Sequence, residues 1–437
     1  MVSLLSFVFV IFVIVLAHEF GHFIVAKSFG IRVNEFSIGF GPKIFSKKYG
    51  ETEYVLRPIP IGGFVDLYGM EEDSVKDDWN RSFVSKTALQ RFLTLGAGSF
   101  MNYVLAFVIL FLVLFISGTP QPLFSEKPVI GFVLEESYAN QNGIMLGDKV
   151  LNVNGNSIDS WQDFEKAMLN KNSDMKLQIS RNDIIFDLVL PPKNFSNFME
   201  MGIFQGKEPV VGEITPGQEA ARVGIEVNDR IVKINDYNIL IWEQASTQIH
   251  KSVNSEITIS VERNDEIHEF TVIPRDILNE GFGIIGIAPK VVFGNPSSFT
   301  EAVGNAFYSV VRLTYTMIDM LKKLVTFQVS VKNLTGPVGI ASVVGEKARE
   351  GISLLFYMMA FISINIGFLN LMPFPALDGG RLFFIFIEMT ASFIFKRKVK
   401  ISNKIEEAIH YAGLVLLIFL ILVITYRDIL RLLKIGE

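Results

Sequence analysis

Two histidines and a glutamate are the residues whose spacing predicts chemistry in this chain. They stand in the run His18-Glu19-Phe20-Gly21-His22, directly after a long apolar stretch at residues 2–17. A helix places residues i and i+4 on one face, so the imidazoles of His18 and His22 can both bind one metal ion. Glu19 lies beside them, where a carboxylate can accept a proton from an attacking water. Ionisable side chains are costly in a membrane, so three of them at the end of an apolar segment favour a functional role.

Two other interpretations of this stretch remain open. An N-terminal apolar run can be a signal peptide, although no Lys or Arg precedes this one and no A-x-A-like cleavage site follows it. The H-E-x-x-H pattern also occurs by chance in soluble helices. The chain has only 5 His, and two of them fall in the pattern. A third metal ligand elsewhere in the chain would decide between chance and function.

The composition is that of an integral membrane protein with soluble parts. Of 437 residues, 50% are hydrophobic and 19% are charged, and the mean hydropathy is +0.38. A formal net charge of -5 provides no basic field, so we expect no nucleic-acid partner. Cysteine is absent. A metal ion would therefore be held by His and carboxylate side chains, and an external domain would fold without disulfides.

Four apolar segments approach the about 20 residues that a helix needs to cross a bilayer. They predict a polytopic α-helical membrane protein with spans at residues 1–25, 92–117, 352–372 and 406–427. Lys and Arg are concentrated in the segments 26–91 and 373–405, which places both on the cytoplasmic side. The insert at residues 119–351, the chain start and the tail at residues 428–437 are then expected on the outer side.

The first cytoplasmic segment contains two apolar, β-prone stretches punctuated by Gly and Pro, at residues 36–42 and 54–65. Residues 47–51 between them are typical of a turn. The pattern predicts a membrane-associated β-hairpin region, with two open roles. It can be a re-entrant element that lines the metal site and pairs with an extended peptide, or a small sheet that only packs.

The external insert contains an internal repeat. Pro128-Val129-Ile130-Gly131 recurs as Pro209-Val210-Val211-Gly212, and Trp161 recurs at the same offset as Trp242. The repeat predicts two β-rich domains, at residues 127–192 and 208–275, which resemble PDZ domains of the circularly permuted bacterial kind. PDZ domains bind chain ends or loops by adding a strand to a sheet edge. The alternative is a pair of spacer domains with idle grooves.

The segment that follows, residues 276–351, contains apolar residues at helical spacing between 299 and 327, interrupted by charged ones. This spacing predicts an amphipathic helix on the outer membrane surface. The alternative is a fifth span with a polar face.

A third metal ligand has to be a carboxylate in or near the membrane. Asp319, Asp428 and Glu388 lie in or near apolar stretches, but Asp378 is the best candidate. It ends the run Asn370-Leu371-Met372-Pro373-Phe374-Pro375-Ala376-Leu377-Asp378, in which two prolines break the helix around a cavity. The alternative role for Asp378 is the N-cap of the next helix.

Taken together, these motifs resemble the site-2 protease family of intramembrane zinc metalloproteases. The resemblance rests on H-E-F-G-H in the first span and on N-x-x-P-x-P-x-L-D-G-G at residues 370–380. The two PDZ-like copies point to the bacterial regulator-of-sigma-E protease type. I-P-x-G-G-F at residues 59–64 and G-P-V-G-I-A at residues 336–341 support it. The family often has G-P-x-x-N near its second span, where this chain has Gly98-Ser99-Phe100-Met101-Asn102.

The resemblance implies that His18, His22 and Asp378 bind one Zn²⁺ per chain, that Glu19 is the general base, and that Asn370 helps to hold the substrate. The candidate substrate contacts in the hairpin region are Phe36, Ser37, Ile38, Gly39, Gly62 and Gly63.

The resemblance also implies the substrates: transmembrane segments of single-span proteins that an outer protease has trimmed, such as anti-sigma factors and remnant signal peptides. The PDZ pair would bind peptide or protein termini and exclude untrimmed proteins. We expect a monomer in the lipid bilayer of a bacterial inner membrane, with the PDZ domains and both termini on the periplasmic side. The active site would lie towards the cytoplasm.

Two other function classes are open. The chain could be a membrane-anchored PDZ scaffold with a structural or vestigial metal site, although Glu19 would have no ligand role in such a site. A transporter would need inverted repeats among its spans, and the only repetition found lies in the external insert.

Overall fold

The structure is a computed structural model that describes residues 2–70, 75, 77–168, 174–193, 195, 197–276, 281–326, 336–397, 399, 401 and 403–432. The chain folds into two compact units. The first, called the membrane unit after the predicted spans, consists of Met1–Thr119 and Asn295–Leu430. The second, called the external unit after the predicted insert, consists mainly of Pro120–Gly294.

The membrane unit begins with a helix, a four-stranded sheet and a second helix. Strand order in the sheet is β2-β3-β1-β4, so that β4 is an edge strand. Strands β1 and β3 are parallel, whereas β4 runs antiparallel to β1 and β2 runs antiparallel to β3. The elements are α1 (Val2–Ser28), β1 (Val33–Phe40), β2 (Phe45–Tyr49), β3 (Thr52–Leu56), β4 (Ile59–Leu67) and α2 (Ala88–Ser117).

This sheet differs from the hairpins expected from the sequence. Residues 47–49, predicted as part of a turn, belong to β2, and the turn is confined to Gly50, whose φ is 61°, and Glu51. Residues 54–65 form parts of two strands, which Pro58 separates where the chain reverses. The parallel pairing of β1 with β3 is a tertiary contact that alternation of apolar residues does not encode.

The external unit contains two copies of one topology. Each copy has a four-stranded sheet, ordered β10-β9-β7-β8 in the first and β14-β13-β15-β16 in the second, and a two-stranded sheet, β11-β6 or β12-β17. Each encloses its own apolar core, with Trp161 in the first and Trp242 in the second. The elements are β5 (Pro120–Pro122), β6 (Ile130–Val133), α3 (Tyr138–Gln141), β7 (Lys149–Val153), β8 (Asn156–Ser157), α4 (Trp161–Met168), β9 (Met175–Arg181), β10 (Ile184–Leu190), α5 (Phe198–Met201), β11 (Ile203–Gln205), β12 (Val211–Ile214), α6 (Glu219–Val223), β13 (Arg230–Ile234), β14 (Tyr237–Asn238), α7 (Trp242–Lys251), β15 (Ile257–Arg263), β16 (Glu266–Val272), β17 (Ile287–Pro289) and β18 (Val291–Phe293).

Each copy extends beyond the boundary expected from the sequence. Strand β11 pairs with β6 and lies after residue 192, and β17 pairs with β12 and lies after residue 275. Both returning strands have three residues, which is too short for an alternating pattern to be recognised.

The chain then completes the membrane unit with five helices: α8 (Phe299–Val325), α9 (Pro337–Glu350), α10 (Ile352–Leu371), α11 (Asp378–Phe395) and α12 (Asn403–Leu432). Helix α8 matches the predicted amphipathic helix, whose last residue, 327, lies outside the described residues. Helix α9 lies in the predicted linker and α11 in the predicted cytoplasmic loop. Helix α12 continues to residue 432, so the predicted tail starts inside a helix.

Helix α11 corrects the prediction of a loop at residues 373–405. Charged residues at 378, 381 and 388 and the two preceding prolines obscured an apolar helical run. The start of α2 at Ala88 rather than 92 also has a local cause. Thr87 and Gln90 form a capping box, in which each side chain bonds the other's backbone amide.

Four of the described helices are long and apolar enough to cross a membrane: Ser3–Ser28, Ala88–Ser117, Ile352–Leu371 and Glu406–Leu430. They overlap the four predicted spans, with ends that differ by up to four residues. The fold therefore combines four helices able to cross a membrane with several β-sheets.

Small residues bring three of these helices close together. A Cβ added to Gly21 of α1 would lie 2.3 Å from the carbonyl oxygen of Ala97 on α2. A Cβ on Gly367 of α10 would lie 3.1 Å from that of Asn102 on α2. Such close backbone approach is how membrane helices pack without a hydrophobic driving force between them. It positions side chains of α1 and α2, together with the end of α10, around one point.

Candidate metal centre

Three of the predicted site residues, His18, His22 and Asp378, converge where α1, α2 and the end of α10 meet. The Nε2 atoms of His18 and His22 are 3.2 Å apart, and Oδ2 of Asp378 is 3.0 Å from the first and 3.2 Å from the second. The first two residues lie one helical turn apart on α1, whereas Asp378 is 360 positions away from His18. It is the first residue of α11, held there by the turn at Pro373 and Pro375 that ends α10.

Each imidazole is oriented by a partner on α2. Nδ1 of His22 donates a hydrogen bond to the carbonyl oxygen of Thr94, at 2.9 Å. Nδ1 of His18 is 3.3 Å from the side-chain amide of Asn102. The buried Oδ1 of Asn102 has no partner among the described residues. Rotating this amide by half a turn places Oδ1 opposite the Nδ1–H of His18, which satisfies both groups.

These partners determine which atoms of the site carry lone pairs. A carbonyl can only accept, so neutral His22 carries its proton on Nδ1 and presents the lone pair of Nε2 to the site. The same holds for His18 when Asn102 accepts from it. Two imidazole lone pairs and a carboxylate oxygen then face one another at 3.0–3.2 Å. Such a set of acceptors is suited to hold a cation between them.

The spacing fits zinc. Bonds of about 2.0–2.1 Å at tetrahedral angles put neighbouring ligand atoms about 3.3 Å apart. The three observed separations match this value closely, and nitrogen and carboxylate ligands are those that zinc prefers. Among the described residues, these three side chains form the group that could hold a metal ion.

Glu19 lies next to this cluster and against strand β4. The backbone of Val65 interacts with its carboxylate. A Cβ added to Gly63 would lie 3.2 Å from Cγ of Glu19 and 2.7 Å from the carbonyl oxygen of Ser37. Glycine at position 63 therefore allows the edge strand to pass directly over the glutamate.

The predicted substrate-binding residues occupy different places. Asn370, at the end of α10, has its amide nitrogen 3.5 Å from Nε2 of His18. Gly62 and Gly63 lie on the edge strand β4. Phe36, Ser37, Ile38 and Gly39 lie on β1, which is flanked by β3 and β4, so their backbone groups face other strands of the same sheet.

The other carboxylates considered as ligands are engaged elsewhere. Glu388 is buried and accepts from the guanidinium of Arg91, at 2.7 Å. Asp428 accepts from the amides of Gly336 and Gly339 at the start of α9. Asp319 is exposed and pairs with Lys323. None of these belongs to the metal cluster.

Thr94, Asn102 and Gly98 were not predicted to belong to the site. A Cβ on Gly98 would lie 2.3 Å from Nε2 of His22, so only glycine leaves room for the imidazoles. The motif at residues 98–102 was the available signal for Asn102 and Gly98. Thr94 acts through its backbone carbonyl, for which no sequence signal exists.

Comparison with known proteins decides the family. The sequence profile of peptidase family M50 matches residues 6–420. This chain belongs to peptidase family M50. The predicted membership of the site-2 protease family is thereby confirmed. M50 enzymes depend on zinc, so the chain is a zinc metalloprotease, and the zinc cofactor expected from the sequence is confirmed as well.

Relatives in the M50 family match this chain along almost its whole length. "Protease RseP" of Yersinia pestis is 31% identical over 463 residues, covering 98% of this chain and 99% of that protein. "Regulator of sigma-E protease RseP" of Escherichia coli (strain K12) is 30% identical with the same coverage of 98% and 99%. A Clostridium perfringens protein, whose name assigns it provisionally to the zinc metalloproteases, is 33% identical and covers 95% of each chain.

Proposed function

We propose that this chain cleaves peptide bonds within transmembrane segments, with His18, His22 and Asp378 as its zinc ligands and Glu19 as its general base. One observation carries the assignment: three acceptor atoms converge at 3.0–3.2 Å at the end of an apolar helix. Glu19, on the same helix, has a carboxylate that the cluster does not use.

Bound zinc supplies a Lewis acid that polarises a carbonyl group and activates water. The chain's own residues do the rest. Glu19 takes the proton of the attacking water and returns a proton to the leaving amine. Thr94 and Asn102 hold the two imidazoles in the tautomer that presents Nε2 to the site, and outer partners of this kind tune both affinity and geometry.

A transmembrane helix is a poor substrate until it unwinds, because its carbonyl groups are already hydrogen-bonded within the coil. The unwound backbone then needs new partners away from lipid. We infer that it adds as a strand to the edge of β4 near Gly62 and Gly63, next to Glu19. Glycine at position 63 keeps the Glu19 side chain close to this edge. The other edge of β4 is paired with β1, which contains Phe36, Ser37, Ile38 and Gly39. The Asn370 amide holds the substrate beside His18.

The substrates that we propose are pre-trimmed single-span proteins, namely anti-sigma factors and remnant signal peptides, cut in regulated intramembrane proteolysis. The names of the relatives connect them with regulation of sigma E, which supports the first class. The bacterial relatives and the four spans support a place in a bacterial inner membrane. The basic residues of segments 26–91 and 373–405 support an active site towards the cytoplasm, with both termini and the external unit on the periplasmic side. We propose a monomer.

The repeated topology of the external unit supports two PDZ domains, based on the segments 127–192 and 208–275 and closed by β11 and β17. As PDZ domains they would bind termini and exclude proteins with large external domains. Deleting residues 128–274 should then allow untrimmed substrates to be cut. Continued rejection of untrimmed substrates by the deleted enzyme would contradict this role.

The experiment that tests the proposed chemistry pairs cleavage with zinc content. Purified wild type and the Glu19→Gln variant are given the same single-span substrate in lipid, and zinc is measured in each protein. Glu19→Gln should bind zinc like wild type but cleave about 10²–10⁴-fold more slowly, the usual contribution of a general base. Cleavage at the wild-type rate by zinc-loaded Glu19→Gln would overturn the assignment.

A further inference from the structure

Helix α12 is the span least buried by the rest of the chain. Only 6% of its apolar window is buried, against 28–44% for the other three candidate spans. Its contacts with the rest of the chain include hydrogen bonds. Among them is a hydrogen bond from the backbone N–H of Ala376 to Nδ1 of His410, at 3.1 Å. Ala376 belongs to the short turn that presents Asp378.

The backbone conformation of that turn depends on a hydrogen-bond partner outside the turn. Ala376 has a φ of 80°, in the left-handed region that a residue with a Cβ adopts only when its surroundings hold it there. The amides of Phe374 and Leu377 bond to carbonyl groups within the turn, those of Met372 and Phe374. The amide of Ala376 reaches across to α12 instead.

Close packing fixes the His410 ring against the turn. A Cβ on Gly413, one turn further along α12, would lie 2.2 Å from Cβ of Pro375. A Cβ on Gly380 would lie 3.2 Å from Cε1 of His410. The ring therefore lies between the residues that precede Asp378 and those that follow it, so a change in the ring acts on both sides of the ligand.

The bond to Ala376 defines the tautomer of His410. Since Nδ1 accepts, Nε2 carries the proton, yet this buried atom has no hydrogen-bond partner among the described residues. Oε1 of Glu406 lies 4.0 Å from it. The ring tolerates an unsatisfied donor on one side in order to make the bond to Ala376 on the other.

We propose that His410 is a positioning residue for the metal: its Nδ1 holds the Ala376 amide, and through it the turn that aims Asp378 at the two imidazoles. The proposal rests on the proposed role of Asp378 as a zinc ligand. His410 touches neither substrate nor metal. Its loss should therefore appear as weaker zinc binding in the absence of any substrate.

The test compares His410→Asn with His410→Gln in the full-length protein, with the zinc dissociation constant measured by chelator competition. Asparagine places its oxygen two bonds from Cβ, where Nδ1 lies, whereas glutamine places it one bond further away. We expect His410→Asn to bind zinc as wild type does. His410→Gln should bind about tenfold more weakly, as is typical when a residue that orients a ligand is lost.

Two controls separate positioning from general damage. Tyr411→Gln makes the same kind of change at the next residue of α12, which is 71% exposed, and should leave zinc binding unchanged. If His410→Gln does not fold, His410→Leu, which keeps apolar packing without an acceptor, takes its place.

The outcomes distinguish this inference from the proposed function. Wild-type affinity in His410→Gln, equal weakening in His410→Asn and His410→Gln, or equal weakening in Tyr411→Gln would each overturn the role of His410. Asp378→Ala in the same assay tests the underlying ligand role. If Asp378→Ala retains zinc, the proposed function fails; if it loses zinc while His410→Gln does not, the positioning role alone fails.

Discussion

Aspartates are held in opposite ways in the two units of this protein. In the external unit, Asp148 accepts from Nε and Nη2 of Arg181 at 2.6 and 2.8 Å and from the Met145 amide at 2.8 Å. The second copy repeats the arrangement, with Asp229 bound by Arg263 at 2.7 Å. Both side chains are fully buried, and each is supplied with its own counter-ion and donors.

In the membrane unit the partners of Asp378 are of another kind. Among the described residues, its carboxylate contacts the Nε2 atoms of two imidazoles whose protons are engaged on the opposite side of the ring. The arginine-paired aspartates are complete as folded, which is typical of a structural role. Asp378 has acceptors where the others have donors, which is typical of a metal ligand.

The largest expected effect comes from removing the carboxylate of Asp378. Asp378→Ala should lose tight zinc binding and cleavage altogether, because two imidazoles remain to hold the ion. The measurement is zinc content after dialysis, together with cleavage of a single-span substrate. Asp148→Ala serves as the matched control and should keep wild-type zinc content. Retention of stoichiometric zinc by Asp378→Ala would show that the comparison has assigned the wrong aspartate.

The complementary change acts on stability rather than on zinc. Asp148→Ala leaves the Arg181 guanidinium, whose side chain is 25% exposed, without its counter-ion. We expect the first copy to lose about 3 kcal/mol of unfolding free energy, measured by hydrogen exchange of β7 and β9. The second copy, with Asp229 intact, is the internal reference. Unchanged exchange in β7 and β9 would contradict a structural role for Asp148.

A smaller effect should come from the glycine that lies against the imidazoles. Gly98→Ala puts a Cβ where Nε2 of His22 lies, at 2.3 Å, so the ligand must shift, and zinc affinity should fall about 10–100-fold. Gly96→Ala, two residues earlier on α2, meets nothing within 4 Å and should bind zinc normally. Chelator competition measures both. Equal affinities for the two variants would refute the close approach of α2 to the site.

The smallest expected effect concerns an aspartate that is held in a third way. Asp428 accepts from the amides of Gly336 and Gly339, at 3.2 and 2.8 Å, and so caps α9 from another helix. Asp428→Ala should cost about 1 kcal/mol, as loss of a helix N-cap does, with zinc binding unaffected. Faster hydrogen exchange at the start of α9 is the expected signature; wild-type protection there would argue against the cap.

More of the candidate site than of the surrounding fold could be predicted from the sequence. His18 and His22 were predictable because a helix fixes the distance between residues four apart. Asp378 was predictable because a carboxylate among apolar residues, next to helix-breaking prolines, favours a role as a metal ligand. Asn102 could be noticed in its motif but not assigned to His18, since that contact depends on how α2 packs against α1.

Other features depend on tertiary contacts that no local pattern encodes. The carbonyl of Thr94 and the amide of Ala376 act through the backbone, which is the same in every residue type. Helix α11 was missed because its charged residues at 381 and 388 indicated a loop, whereas in the structure Glu388 is buried and neutralised by Arg91. The three-residue strands β11 and β17 are likewise defined by their partners rather than by their own sequences.

X-ray absorption spectroscopy of the zinc-loaded, full-length protein tests the central claim most directly. The account predicts that zinc in the wild-type protein is bound by two imidazoles and oxygen ligands at about 2.0–2.1 Å, and that His22→Ala, loaded with excess zinc, shows one imidazole fewer. Identical spectra for wild type and His22→Ala would mean that the ion binds elsewhere and would contradict the account.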